Sequence, residues 1–392
     1  MEKQRIGLIG VGGMGSEHLR CLLLLDGAEI VAVTDKDPEA VERAVVRTEG
    51  RAVGYAEYGD LLRRDDVDAV FVSVPEFWHK EVALACFATG KDVFLEKPLA
   101  TTLRDTDEII LASTQAGRLL QVGLVYRYAS FFRGMKRLLA AEGQMPRILM
   151  MWCKEHRLSF PPTPWYHSQE MTGGATVEKD CHHFDIFNWM LERRAVRVCA
   201  FGARSVLVPG SDYLCEWPGM PPRVIDYGDN VDHAEIIIDY GDGITAHLSL
   251  NLALRPADLS LGFPLEIGAI GHNGRLMLSD VAAGTIRFWG GRTAQEEAHD
   301  MRDESDAKAL AHAGGMQEHV EFLECLRTRR RPYADGLVGR ESMLPAFAAE
   351  RSIKEGRIVF TDELLEEGLL PRAPYREPDP PVDITRYGTV PT

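Results

Sequence analysis

Glu178, His182 and Asp185 are spaced four and three residues apart, so a helix through them sets two carboxylates and an imidazole on one face. Histidine exchanges a proton near neutral pH, and a carboxylate one turn away can orient and stabilise it. A second candidate is Lys97, in Glu96-Lys97-Pro98, directly after a predicted strand over 92–95. In open parallel sheets ligands collect beyond the carboxyl ends of strands. A lysine there can hydrogen-bond a substrate hydroxyl, and a depressed pKa would equip it to move a proton. Taken singly, Lys97 reads as a solvated lysine and His182 as a satisfied core histidine. Together, with Gly173-Gly174 just upstream of the helix, they read as general acid–base machinery. Cys181-His182-His183 has zinc-ligand residue types, but adjacent helical residues point apart and no second Cys pair exists. No metal is expected.

Gly10-Val11-Gly12-Gly13-Met14-Gly15 follows one predicted strand, 5–9, and opens a helix. The first glycine permits the tight turn, the second lets backbone approach a pyrophosphate, and the third lets helix and strand pack closely. The positive end of the helix then meets the phosphates. Asp35 stands twenty residues past Gly15, at the end of the next strand. A carboxylate there accepts from an adenosine ribose and repels a 2′-phosphate, which favours NAD over NADP, although Lys36 adjoins it.

These residues need elements to hold them. Up to residue 125 short apolar strands alternate with helical patterns, the signature of a doubly wound parallel sheet. After Tyr126 longer alternating strands dominate, at 147–154, 197–206, 234–239, 244–250, 265–269, 275–278 and 285–289. Such runs predict an α+β domain built on a mostly antiparallel sheet, interrupted by a helix over 181–191 and closed by helices over 317–327 and 341–354. The expected organisation is a dinucleotide-binding domain over 1–125, a substrate and oligomerisation domain over 126–365, and a Pro-rich tail over 366–392. That tail is either an arm on a neighbouring subunit or disordered. Pro209–Arg223 reads as an irregular insertion.

The chain has 392 residues, 45% hydrophobic and 26% charged, which excludes wholesale disorder. No apolar run is long enough to span a membrane. A net charge of −15 repels phosphate backbones and argues against nucleic acid. The arginines within 327–331 suit a helix C-terminus. Seven scattered cysteines without C-x-x-C spacing fit a reducing, cytoplasmic setting.

The ordered pieces resemble the glucose–fructose oxidoreductase/inositol dehydrogenase (Gfo/Idh/MocA) family across residues 5 to 360. They are the glycine loop, Pro75 and His79 in the segment Ser73–His79, Glu96-Lys97-Pro98, Tyr126-Arg127-Tyr128, and Gly173-Gly174 with Glu178 and His182. Gly268-Ala269-Ile270-Gly271, Gly274-Arg275-Leu276 and Ala348-Ala349-Glu350-Arg351-Ser352 complete the set. The resemblance implies a Rossmann domain and a large open sheet used for homodimer or homotetramer contacts, with the active site between them. It makes Lys97 the catalytic lysine and His182 the acid/base, with Glu178 where the family usually has Asp. Asp180, preceded by Lys179, falls where glycine is common, adding charges to the pocket floor. NAD contacts are expected from Gly10, Gly12, Gly13, Met14, Gly15, Asp35, Lys36, Ser73, Pro75, His79 and Glu96. Substrate contacts are expected from Lys97, Tyr126, Arg127, His156, Trp165, His167, Lys179, His182 and Asp185. The implied activity is hydride transfer between NAD and a hydroxyl-bearing carbon of a sugar, inositol or glycoside. Two alternatives stay open: a glycosidase working by transient oxidation, elimination and re-reduction, and a non-catalytic NAD-sensing regulator.

Overall fold

The computed structural model describes residues 3–140, 147–156, 161–215, 220–253, 265–281, 284–290, 297–300 and 315–372. The predicted tail beyond residue 372 lies outside them, as does part of the 209–223 insertion. No helix among the described residues is long and apolar enough to cross a membrane.

Six strands form the first sheet: β1 (Gln4–Ile9), β2 (Ala28–Thr34), β3 (Val53–Tyr55), β4 (Ala69–Val72), β5 (Asp92–Leu95) and β6 (Leu120–Val122). Their order is β3-β2-β1-β4-β5-β6, parallel throughout. Every residue of β4 and β5 is buried, as helices on both faces require. The order reverses between β1 and β4, so the loops leaving those two strands flank the switch point where such sheets bind ligands. Strand β3 and the short helix Tyr58–Leu62 escape a reading by apolar runs. Val53 and Gly54 are exposed at the sheet edge, so no buried pattern marks the strand.

Among the described residues the second sheet has nine strands, β7 (Ile148–His156), β8 (Arg197–Ala203), β11 (His233–Asp239), β12 (Thr245–Asn251), β13 (Leu265–Gly271), β14 (Arg275–Asp280), β15 (Thr285–Gly290), β16 (Glu297–Asp300) and β17 (Val359–Phe360). They run β16-β15-β14-β13-β7-β12-β11-β8-β17, antiparallel except for the β7–β12 pair. The insertion contributes a separate two-stranded ladder, β9 (Leu214–Cys215) with β10 (Arg223–Val224). Alternation assigns the faces: Ala234, Ile236 and Ile238 of β11 are buried, whereas Glu235 and Ile237 are exposed. The buried face carries the helices Ala175–Leu191 and Gly336–Glu355, the first of which is buried at every residue.

The two sheets are locked together by late elements. Helix Gly315–Thr328 returns to the first sheet, where Phe322 and Leu326 join the core of Ile6, Leu8, Phe71 and Phe94. Its terminal arginines are each paired, Arg327 with Glu324, Arg329 with Asp92, Arg330 with Glu321 and Arg331 with Asp335. Helix Gly336–Glu355 approaches the first sheet through Gly339, where a Cβ would lie 2.9 Å from Leu99 and 3.0 Å from Val122. One residue on, the buried Arg340 guanidinium donates to the fully buried Asp107 of helix Leu103–Ala116. Asp107 Oδ2 also accepts from the backbone N–H groups of Leu369 (2.7 Å) and Leu370 (2.9 Å).

Removing the negative partner would take the nearest carboxylate from a buried guanidinium, leaving it the Leu370 carbonyl and the more distant Glu341, at a cost of about 3–5 kcal/mol. Asp107→Asn is therefore expected to lower the unfolding free energy by that amount, read as a lower guanidinium-chloride midpoint, and an unchanged midpoint would contradict the reading.

Candidate active site

Strand β1 ends at Ile9 and the chain turns through Gly10, whose φ is +86°. A Cβ there would lie 2.5 Å from the Ser73 carbonyl, and one on Gly15 would lie 1.9 Å from the Gly10 carbonyl. Side chains are thus excluded at both positions. Gly12 and Gly13 differ, since a Cβ on either meets nothing within 4 Å. They leave an open cradle at the N-terminus of helix Gly13–Leu23, whose first N–H groups receive no side-chain cap. Unsatisfied N–H groups at a helix start suit a diphosphate. Asp35 follows β2 beside this loop: its Oδ2 accepts from Val11 N at 2.7 Å and its Oδ1 from Asp37 N at 3.0 Å. The carboxylate keeps lone pairs for a ribose hydroxyl. The Lys36 ammonium lies 4.5 Å over the Trp78 ring. These residues fit NAD.

The loop opens into a cleft of 1310 Å³, above the usual size of a pocket for one small ligand. Gly10, Gly12, Gly13, Met14, Asp35, Lys36, Ser73, Pro75 and Glu96 line it, and so do Lys97, Tyr126, Trp165, Glu178, Lys179 and His182. Two widely separated parts of the chain therefore share one space.

At its centre the Lys97 ammonium donates to Glu178 Oε1 at 2.7 Å and to the Glu178 carbonyl at 3.0 Å. Burial pulls the lysine pKa down, but Glu178, Cys181 and Glu76 outweigh it and the net shift is upward. The depressed pKa that would equip Lys97 to move a proton is therefore not found, and Lys97 is a fixed ammonium. His182 stacks on the Tyr126 ring at 4.7 Å, and Tyr126 stacks on Phe132 at 4.7 Å.

Four expected substrate contacts do not line the cleft. Asp185 shares the predicted helix face but lies one turn beyond the opening. It receives Arg127 Nε at 2.7 Å and Nη2 at 2.8 Å. The guanidinium sits between Trp189 and Tyr333, 5.4 and 5.5 Å from their centroids, so the two charges satisfy each other inside the protein. Glu178 is held by Lys97 and Asp185 by Arg127, in place of the expected carboxylate partnership with His182. His156 ends β7, and its Nε2 meets Ser249 Oγ at 3.0 Å. Alternation turns Glu155 inward and His156 away. His167 is buried against the Pro161 carbonyl (3.2 Å) and orders the loop through its own carbonyl, which accepts from Asp229 N. Among the expected cofactor contacts, His79 is corrected too. Its ring nitrogens face the carbonyls of Pro98 (2.7 Å) and Val74 (2.9 Å), so it fastens the two loops from beneath.

The charges foreseen at Lys179 and Asp180 are neutralised in pairs. Lys179 reaches Glu155 Oε1 at 3.2 Å, and Asp180 Oδ1 lies 3.1 Å from His183 Nδ1. Several groups at the site were not anticipated: the buried His18, Glu76, Glu318 and His319, and the half-buried Tyr166. Glu96 Oε2 accepts from Lys97 N at 3.0 Å, and Oε1 meets His18 Nε2 at 2.9 Å. His18 Nδ1 then meets His319 Nε2 at 2.9 Å, and His319 Nδ1 donates to the Gly315 carbonyl. The direction of that chain makes His18 Nδ1 a donor. His18, Glu318 and His319 lie close enough to suggest a metal, but the imidazole nitrogens are already engaged in these bonds.

Residues 4–124 match the oxidoreductase family with an NAD-binding Rossmann fold, and residues 132–277 match the GFO/IDH/MocA C-terminal domain. The chain belongs to the Gfo/Idh/MocA oxidoreductases and carries their NAD-binding domain. It is 29% identical over 286 residues to an inositol 2-dehydrogenase of Ralstonia nicotianae, covering 72% of this chain and 76% of that one. To an inositol 2-dehydrogenase of Burkholderia multivorans it is 28% identical over 357 residues, covering 90% and 95%. An Agrobacterium radiobacter oxidoreductase solved with NAD+, L-tartaric acid and magnesium has the same fold, with a TM-score of 0.77 at 17% identity over 93% of this chain and 100% of that one.

The glycines make separable predictions. Gly12→Ala should leave thermal stability unchanged and weaken NAD binding tenfold or more, by about 1.4 kcal/mol. Gly15→Ala should lower the melting temperature as well, because its methyl meets the Gly10 carbonyl. Calorimetry with and without NAD checks both, and equal behaviour of the two variants would contradict the assignment.

Proposed function

We propose that the protein oxidises a secondary hydroxyl of a cyclic polyol or sugar, with NAD+ as the acceptor. One observation carries this reading: a fixed ammonium, Lys97, and an imidazole, His182, line the same cleft as the open glycine cradle. When bound, NAD+ supplies the hydride acceptor. Lys97 donates to the substrate oxygen and stabilises negative charge there as the O–H bond weakens. His182 accepts the proton. Glu178 holds the ammonium in place, Tyr126 backs the His182 ring, and Trp165 offers aromatic surface to the apolar side of a sugar ring.

Lys97→Met and His182→Ala should each keep NAD affinity within a few-fold while losing about 10²–10⁴-fold in single-turnover rate. The losses should not multiply in the double variant, because the two residues act on one hydroxyl. Near-wild-type turnover in either single variant would overturn the assignment. NADH should accumulate with substrate, whereas a redox-neutral glycosidase cycle would return it to NAD+. Asp35 further predicts at least tenfold preference for NAD+ over NADP+ in a fluorescence titration.

The sheet face opposite the helices exposes Phe201 at 72% and Ile237 at 54%, with Met150 on the same face two strands from β11. Uncovered apolar surface of this kind supports a homodimer or homotetramer joined through that face. The seven thiols are all free, which supports a reducing, cytoplasmic setting. Light scattering at micromolar concentration should give a multiple of the chain mass, and a monomer would contradict the assembly.

A further inference from the structure

Glu76 opens the short turn Glu76–Trp78 that follows β4. It is only 5% exposed and yet lines the cleft, and its Oε2 has no hydrogen-bond partner among the described residues. Groups from three other elements bear on it electrostatically: Glu178 from helix Ala175–Leu191, Lys97 and Glu96 after β5, and Tyr166 from the turn Pro164–His167. Glu96 is already tied to His18 and to the Lys97 backbone. The Lys97 ammonium is committed to Glu178. One cation thus faces two carboxyl groups in a buried space, and both cannot be ionised cheaply. Burial first, and Glu178 second, push the Glu76 carboxyl up to about 8, against the opposing pull of Lys97. A buried acid that holds its proton at neutral pH will surrender it to a second cation.

We propose that Glu76 couples proton movement to the charge of the cofactor. It gives up its proton when the cationic oxidised nicotinamide enters the cleft, and takes one back when hydride transfer leaves that ring neutral. The inference rests on the reading that the nicotinamide end lies beside Lys97. In the balanced reaction the carbinol C–H leaves with its electron pair as hydride to NAD+, giving a carbonyl and NADH. The hydroxyl proton departs through His182, and the Glu76 carboxylate is its final acceptor. The site then carries the same net charge before and after hydride transfer, which spares a buried space the cost of an unbalanced ion.

Binding alone tests this, without any polyol. Wild-type protein is mixed at pH 7 with NAD+ or with NADH in weakly buffered solution containing a pH indicator. NAD+ should release a fraction of a proton approaching one, and NADH almost none. Raising the pH populates the carboxylate, so NAD+ affinity should climb by up to about tenfold per pH unit towards pH 8 and then level, while NADH affinity stays flat. Glu76→Gln, which keeps the side-chain shape, should abolish the extra proton release and flatten the NAD+ profile. Glu76→Asp should retain part of both. Equal proton release by NAD+ and NADH in the wild type would overturn the proposal whether or not a variant folds, and so would wild-type release in Glu76→Gln. Failure to oxidise polyols would sink the proposed substrate class and leave this result standing.

Discussion

The ion pair between Lys97 and Glu178 is the constraint on which the site depends. Its partners lie 81 residues apart, one at the end of a parallel strand and the other on a helix that covers the second sheet. A buried pair is tolerated only if both charges are satisfied, since the desolvation cost can exceed the Coulombic gain. Here the ammonium also takes the Glu178 carbonyl. The carboxylate is fixed because its helix is fixed. Gly174 precedes that helix with φ +115°, and Glu350 occupies the space a Cβ would need. Glu350 Oε1 accepts from Thr176 N and Thr176 Oγ1, each at 2.9 Å, so a carboxylate serves the positive end of the helix.

Around this pair several buried charges meet their opposites. Arg127 with Asp185, Arg340 with Asp107 and Lys179 with Glu155 all join elements distant in sequence. Such pairs add little net stability, but breaking one is costly, so they favour one relative placement of the two sheets. The cleft exists because that placement is held while its walls stay lined by glycine at Gly12 and Gly13. Glu76, like Glu318, is a buried acid with an unpartnered oxygen.

The Rossmann half was legible because its signals are local. A glycine loop sits between strand and helix, and Asp35 stands at a fixed distance beyond it. Lys97 and His182 were legible because strand-end and helix-face positions predict where a side chain points. The errors share another cause. Arg127, Asp185, His156 and His167 are polar residues near site motifs, and proximity in sequence does not say whether a partner already occupies them. Asp185 obeyed the helix spacing and still left the cleft, because Arg127 reaches it from the segment after β6. A depressed pKa would have equipped Lys97 to move a proton, and the carboxylate of Glu178, distant in sequence, raises it instead. His18 and His319 meet across 301 residues, a distance no spacing rule spans. Strand β3 was missed because an exposed edge of three residues carries no periodicity.

Direct hydride transfer at this cleft is the central claim, and isotope transfer tests it most directly. A polyol substrate deuterated at its carbinol carbon, incubated with the wild-type protein and NAD+, should give NADH that carries the deuterium by mass spectrometry. Substrate turnover with unlabelled NADH, or with no NADH and loss of the label to water, would contradict the account.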